Sequence, residues 1–308
     1  MKKLSIVIPV YFNEQSLKPL HDRIVQLGEK LGGLDICLEL IFVDDGSGDG
    51  SFDELKKLKK IDDSIKIIKH TRNFGSIHAI KTGMQYITGD CFAILAADLQ
   101  DPPEMILEMA KEWLNGSKFV ICERANRDDP FVSRLFSAVY YKIVLLVIDK
   151  KYPKGGFDLA LMDKVMLPYM QESGKNTYTL LYAYWLGFSP VILKYNREKR
   201  LHGESKWTFA KKFKAFLDVL LGFSFAPIRF MSTIGFIVSS LSFLYGIFIV
   251  LNALMGNMEV PGFATITTLI TFLLGLIITM LGIIGEYLWR ILDEVQKRPE
   301  AVVEQVID

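Results

Sequence analysis

Residues 230–258 and 260–285 contain no charged side chain, and only Glu259 separates them. A helix over residues 231–254 would rise roughly 36 Å at about 1.5 Å per residue, enough for a hydrocarbon core of roughly 30 Å. A buried helix of a soluble domain rarely needs that length. The connection at 255–262 carries Pro261 and Gly262 and reads as a tight turn between antiparallel spans. The competing reading is a pair of buried helices in a large soluble core. Residues 1–229 have the mixed composition of a water-soluble domain, so the chain is expected to hold that domain against a bilayer.

Basic residues set the orientation. Lys206, Lys211, Lys212, Lys214 and Arg229 precede the first span, Arg290, Lys297 and Arg298 follow the second, and the connection has no Lys or Arg. By the positive-inside rule both termini are expected in the cytoplasm. Lys2 and Lys3 precede an apolar run that stops at Pro9 and meets Asn13 and Glu14, which is the pattern of a strand entering a domain rather than a signal peptide. The 36 basic and 35 acidic residues nearly cancel, so no global field points to nucleic acid. Cys37, Cys91 and Cys122 lack metal-ligand spacing and are expected as reduced thiols in or beside strands.

Short apolar runs at 4–9, 38–43, 65–69, 91–96 and 119–122 alternate with amphipathic segments at 14–31, 52–60, 77–86 and 103–115. This alternation predicts a mainly parallel sheet covered by helices, with ligands bound beyond the carboxyl ends of the strands. Polar motifs fall at those ends. Asp44 and Asp45 precede Gly46, Ser47 and Gly48, where backbone can approach closely and a carboxylate can accept from a base or ribose; the same pair could equally cap and turn the helix near Phe52. Arg72 and Asn73 follow the third strand, suited to a diphosphate or to closing a loop, and Gly75 permits a sharp turn. His70 and His78 read as ordinary polar contacts, and Asp101, ahead of Pro102 and Pro103, as a helix cap.

Taken in order, Ile8-Pro9-Val10-Tyr11-Phe12-Asn13-Glu14, Val43-Asp44-Asp45-Gly46-Ser47, Arg72-Asn73-Phe74-Gly75 and Ala97-Asp98-Leu99-Gln100-Asp101-Pro102-Pro103-Glu104 resemble a family 2 glycosyltransferase. The match is closer to bacterial polyprenyl-phosphate glycosyltransferases, relatives of dolichyl-phosphate mannose synthase. It extends through residues 200–207 and Gly285-Glu286-Tyr287-Leu288-Trp289-Arg290 with Arg298-Pro299, nearly the whole chain. The resemblance implies an α/β GT-A fold, Rossmann-like with a mainly parallel sheet, followed by interfacial helices and two C-terminal transmembrane helices. It implies a nucleotide site of Pro9, Tyr11, Glu14, Asp44, Asp45, Arg72, Asn73, Ala97 and Asp98.

The resemblance further implies a Mg²⁺ or Mn²⁺ ion that stabilises the departing diphosphate. Asp98 is its expected ligand, helped by Gln100 and the substrate's phosphates. The family pattern Asp-X-Asp is broken here, because Ala96 stands where the first carboxylate would be. The segment Gly155-Gly156-Phe157-Asp158-Leu159-Ala160-Leu161-Met162-Asp163-Lys164 resembles the family's Gly-Asp-Phe-Arg-Leu-Leu-Asp-Arg when aligned on its two acids. Asp158 then takes the catalytic position on the acceptor side, and Asp163 reads as structural. A lipid phosphate is already anionic near neutral pH, so Asp158 either orients the acceptor or sugar, or acts as a base.

Arg197, Arg200, His202, Ser205 and Lys206 form an expected acceptor-phosphate set, with a purely electrostatic anchor to anionic lipid as the alternative. Phe209, Phe213, Phe216, Leu217 and Leu220 recur at helical spacing around Lys211, Lys212 and Lys214, as in a helix lying in the interface, with Trp207 at its edge. Residues 135–148 suit a helix beside the acceptor or in the core. The expected domains are a cytoplasmic catalytic domain at 1–205, a juxtamembrane amphipathic helix at 206–228, a two-helix hairpin at 229–290 and a cytoplasmic tail at 291–308.

The function so implied is inverting transfer of a sugar from a nucleotide donor, UDP-linked, to polyprenyl (undecaprenyl) phosphate at the cytoplasmic face of the inner membrane. A processive polysaccharide synthase would carry Gln-X-X-Arg-Trp, absent here, and more spans. A catalytically weak membrane scaffold is the reading from another class, prompted by Ala96 and by Ala160, which stands where the family segment has Arg. The two spans also leave helix faces for self-association into a homo-oligomer.

Overall fold

In a computed structural model of the chain, residues 1–125, 152–153, 156–175, 177–198, 220–255 and 262–308 are described. The expected alternation is present: β1 (Lys2–Val10), α1 (Glu14–Gly32), β2 (Ile36–Asp44), α2 (Ser51–Lys59), β3 (Ile65–His70), α3 (Ser76–Met84), β4 (Cys91–Ile94), α4 (Met105–Leu114) and β5 (Phe119–Arg124). Then follow β6 (Phe157–Asp163), α5 (Leu167–Gln171), α6 (Thr179–Trp185), β7 (Val191–Tyr195), α7 (Ala226–Leu254), α8 (Phe263–Val295) and β8 (Val303–Ile307). The expected helix over 135–148 and most of the juxtamembrane segment at 206–228 lie outside the described residues.

One sheet runs β7-β5-β6-β4-β1-β2-β3-β8. β4, β1, β2 and β3 are mutually parallel, β5 and β7 are parallel, and β6 and β8 pair antiparallel with their neighbours. Leu4, Ile6, Ile8 and Val10 of β1 enter the core with Leu17, Leu20 and Ile24 of α1. On its other face Val7 meets α3 at Gly83, where an added Cβ would stand 2.5 Å from Val7 Cγ1. Burial on both faces is why β1 is a continuous apolar run instead of an alternating one. Parallel β1 to β4 send their carboxyl ends, and the motifs that follow them, to one edge of the sheet.

The chain divides into two units, Met1–Asp218 with Pro299–Asp308, and Val219–Arg298. The second holds α7 and α8, within which Ala226–Phe248 and Leu269–Val295 are long and apolar enough to cross a membrane. Phe236, Phe243, Ile278 and Leu281 are exposed along them. Arg290 stands 3.3 Å from Glu286 one turn away, an i,i+4 ion pair at the end of the second apolar stretch. Within residues 291–308, α8 continues to Val295, and β8 adds to the eight-stranded sheet beside β3.

Cys91 and Cys122 are buried, Cys37 is half-buried, and all three are free thiols.

Candidate active site

Asp44 ends β2 and Asp45 follows it, and the two carboxylates have opposite fates. Both Asp45 oxygens are engaged: Oδ1 accepts from Phe74 N at 2.8 Å and lies 2.9 Å from His70 Nδ1, and Oδ2 accepts from Gly75 N at 2.8 Å. His70 Nε2 continues the chain to Thr82 Oγ1 at 2.9 Å. Asp45 therefore fixes the loop between β3 and α3. Asp44 is fully buried, and its Oδ1 accepts only weakly from Ser47 N at 3.3 Å. Its Oδ2 has no hydrogen-bond partner among the described residues. Burial pushes the Asp44 carboxyl above the usual range, with Ser47 opposing. A buried acceptor left open beside a strand end suits a ligand N–H or hydroxyl.

The surrounding loops interlock. Gly46 sits at φ +67°, and a Cβ there would lie 2.5 Å from the Arg72 carbonyl carbon, so glycine lets the loop after β2 meet the loop after β3. After β1, Asn13 Oδ1 accepts from Tyr11 N at 2.9 Å, Phe12 N donates to Ser47 Oγ at 3.2 Å, and Asn13 N donates to Ser51 Oγ at 2.9 Å. Glu14 Oε2 accepts from Gly50 N at 3.1 Å. Asn13 and Glu14 thus bind loop to loop, while Tyr11 turns an edge-on ring against Phe12. Pro9 is half-buried opposite Val43, and Arg72 and Asn73 are exposed. Arg72 lies over the Phe74 ring at 4.6 Å.

Beyond β4, Ala97 is buried and its carbonyl accepts from Ser16 Oγ at 2.7 Å. Asp98 is half-buried and its Oδ1 accepts from Gln100 N at 3.2 Å, across Leu99 at φ +60°. Among the described residues no three His, Cys, Asp or Glu side chains gather as a metal cage. A single carboxylate in a half-buried turn matches an ion that keeps water and phosphate oxygens as its other ligands, so the donor set fits Mg²⁺ or Mn²⁺ held jointly with substrate.

Asp101 corrects a sequence expectation. The position before α4 is Glu104, without a side-chain cap bond, so Asp101 does not cap that helix. Asp101 is buried and accepts the Tyr195 hydroxyl at 2.6 Å, with Arg197 Nε 3.2 Å away. Burial raises its carboxyl and Arg197 opposes the rise. Gln100 O accepts from Glu198 N at 2.9 Å, a second tie from the Asp98 loop to the segment after β7. Arg23 closes the outside by binding Glu104 and Glu198 together.

Asp158, at the start of β6, forms an ion pair with Arg124 at the end of β5. Burial pushes the Arg124 guanidinium pKa down, but the adjacent Asp158 carboxylate more than offsets it, so Arg124 is held above its ordinary value. Sequence reading passed over Arg124 and Tyr195. Their signal was position alone, a cation and a phenol at strand ends, with partners 34 and 94 residues distant. Of the expected acceptor-phosphate set, Arg197 is brought to this cluster; Arg200, His202, Ser205 and Lys206 lie outside the described residues.

The model of glycosyl transferase family 2 matches residues 5–167. An uncharacterized glycosyltransferase of Synechocystis, sll0501, is 34% identical over 96% of this chain and 93% of its own. The prophage bactoprenol glucosyl transferase homolog of Escherichia coli is 29% identical over 99% of both chains. A mannosyltransferase of Pyrobaculum calidifontis, solved with GDP-Man and Mn²⁺, aligns at TM-score 0.42 and 17% identity over 63% of this chain and 55% of that one. The chain belongs to glycosyltransferase family 2. It is a glycosyltransferase whose α/β sheet is followed by two apolar helices.

Proposed function

We propose that the protein moves a sugar from a UDP-linked donor to the phosphate of a polyprenyl lipid, with inversion, at the cytoplasmic face of the inner membrane. The observation that carries this reading is the likeness to a bactoprenol glucosyl transferase homolog over 99% of both chains, apolar helices included. The basic residues flanking both helices support cytoplasmic termini.

In this reaction an acceptor phosphate oxygen bonds to the anomeric carbon while that carbon's bond to the diphosphate breaks. The nucleoside diphosphate leaves on the opposite face. Asp44 Oδ2 accepts from the base or ribose, Tyr11 and Pro9 wall the nucleotide, and Arg72 with Asn73 reach the diphosphate. Asp45 and Glu14 serve the same pocket by fixing its loops. Asp98 and Gln100 would hold Mg²⁺ or Mn²⁺, which supplies positive charge toward the leaving group. Asp158, paired with Arg124, aligns the acceptor or sugar hydroxyls, because a phosphate that is already ionised needs no base. Arg197, Arg200, His202, Ser205 and Lys206 bind the lipid phosphate, and neighbouring lipid and a second copy pack against the helices.

The test is incubation of purified protein with undecaprenyl phosphate and a panel of nucleotide sugars, with the lipid product identified by mass spectrometry. A polyprenyl monophosphosugar is expected from one UDP-sugar. Absence of any glycosylated lipid across the panel would reject the proposal.

A further inference from the structure

The last residues of the chain return to the catalytic sheet at the loop assigned above to the donor. β8 pairs antiparallel with β3, Ile67 facing Ile307 and Ile68 facing Val306. The pairing continues past β3, where Thr71 N donates to Val302 O at 3.0 Å. Thr71 directly precedes Arg72 and Asn73, whose far side is fixed by Asp45 through Phe74 and Gly75. The loop is thus clamped at one end by the C-terminal segment and at the other by Asp45.

A second contact lies on α3, the helix this loop opens into. Lys81 is buried, and its Nζ stands 2.6 Å from Glu300 Oε1 and 2.6 Å from Ser173 O. His78 Nδ1 lies 3.6 Å from Glu300 Oε2. An ammonium in that setting depends on an adjacent anion. Glu300 supplies it from the C-terminal segment, and although burial pushes its carboxyl up, His78 and Lys81 pull it below the usual range. Further along, Lys69 pairs with Glu304 and Lys66 with Asp308. Covering the β3 edge would account for β8 alone. It does not account for an ion pair from half-buried Glu300 to a buried lysine on the helix that the loop opens into.

We infer that Glu300 is a positioning residue for donor binding: through Lys81 and His78 it fixes α3, and with Val302 on Thr71 it holds Arg72 and Asn73 in place. This rests on the reading of the 72–75 loop as a donor contact. It makes the segment after the second apolar helix a working part of the nucleotide pocket.

The test uses the full-length protein in detergent with Glu300→Ala, Glu300→Asp and, as the edge-strand control, Glu304→Gln. Donor and acceptor KM, kcat, thermal midpoint and amide exchange over 71–76 are measured. Glu300→Ala is expected to raise donor KM about fivefold, leave acceptor KM and kcat within about twofold, and speed exchange at 71–76. Glu300→Asp should restore part of the donor KM, and Glu304→Gln should leave it unchanged. Unchanged donor KM and exchange in Glu300→Ala would overturn the inference. So would a parallel loss in both KM values and thermal midpoint shared by Glu300→Ala and Glu304→Gln, which marks edge cover only. Arg72→Ala run alongside separates the premises: normal donor KM there rejects the loop as a donor contact, while the exchange data still judge the clamp.

Discussion

Tyr195 donates its hydroxyl to Asp101 across 2.6 Å, joining the end of β7 to the turn three residues past Asp98. The acceptor is buried, so the bond is expected to carry both stability and geometry. Tyr195→Phe leaves Asp101 with Arg197 alone and should destabilise the catalytic domain by about 1–3 kcal/mol. Thermal unfolding measures that loss. Turnover should fall with it while UDP affinity stays near normal, since the loops proposed to hold the nucleotide are tied independently through Asp45.

Asp44 is expected to show opposite effects on stability and binding. Its carboxyl is raised by burial, so its ionised form costs stability above the raised value and the cost fades as pH falls toward the unfolded value of about 3.9. Asp44→Asn should therefore raise the thermal midpoint at pH 7, with the gain shrinking toward pH 4. UDP affinity should drop on the order of tenfold. Calorimetry with UDP and melting curves at both pH values check the pair of effects; unchanged UDP affinity would remove Asp44 from the site.

Gly46 reports on the contact between the loops after β2 and β3, both proposed to hold the nucleotide. Alanine there must hold φ +67° and place a methyl 2.5 Å from the Arg72 carbonyl carbon. Gly46→Ala should cost about 2 kcal/mol or more and weaken UDP binding by displacing Arg72. A variant that melts and binds like the wild type would show that the loops separate without consequence.

The lone carboxylate at Asp98 makes a metal prediction. Asp98→Asn should lose most divalent-dependent activity, whereas Ala96→Asp, which restores the second acid, should lower the Mg²⁺ or Mn²⁺ concentration for half-maximal rate. Metal titrations of initial rate decide this. Superimposable curves for wild type and Ala96→Asp, or full wild-type activity in excess chelator, would count against it.

What the sequence disclosed tracks how local each signal is. β1 to β4 and the helices between them follow from apolar periodicity, because each element buries a face defined by its own residues. The 157–163 segment drew notice for its acids and proved to be β6, a strand inserted antiparallel between β4 and β5. β8 was read as tail: its five residues are mostly exposed, and its partner strand is more than 230 residues away. Asp44 and Asp45 read as one pair, since only three-dimensional placement distinguishes the acceptor left open from the one bonded to Phe74, Gly75 and His70. Arg124 was missed for the same reason, its role being defined by Asp158 on another strand.

The central claim is that the sugar moves without its phosphate. Its most direct measurement uses a UDP-sugar labelled in the β-phosphate, incubated with the protein and undecaprenyl phosphate, followed by phase partition and mass analysis of the lipid. The account predicts that all label stays in water-soluble UDP while the lipid gains one sugar and no additional phosphate. Label in the lipid phase, as a polyprenyl diphosphosugar, would contradict it.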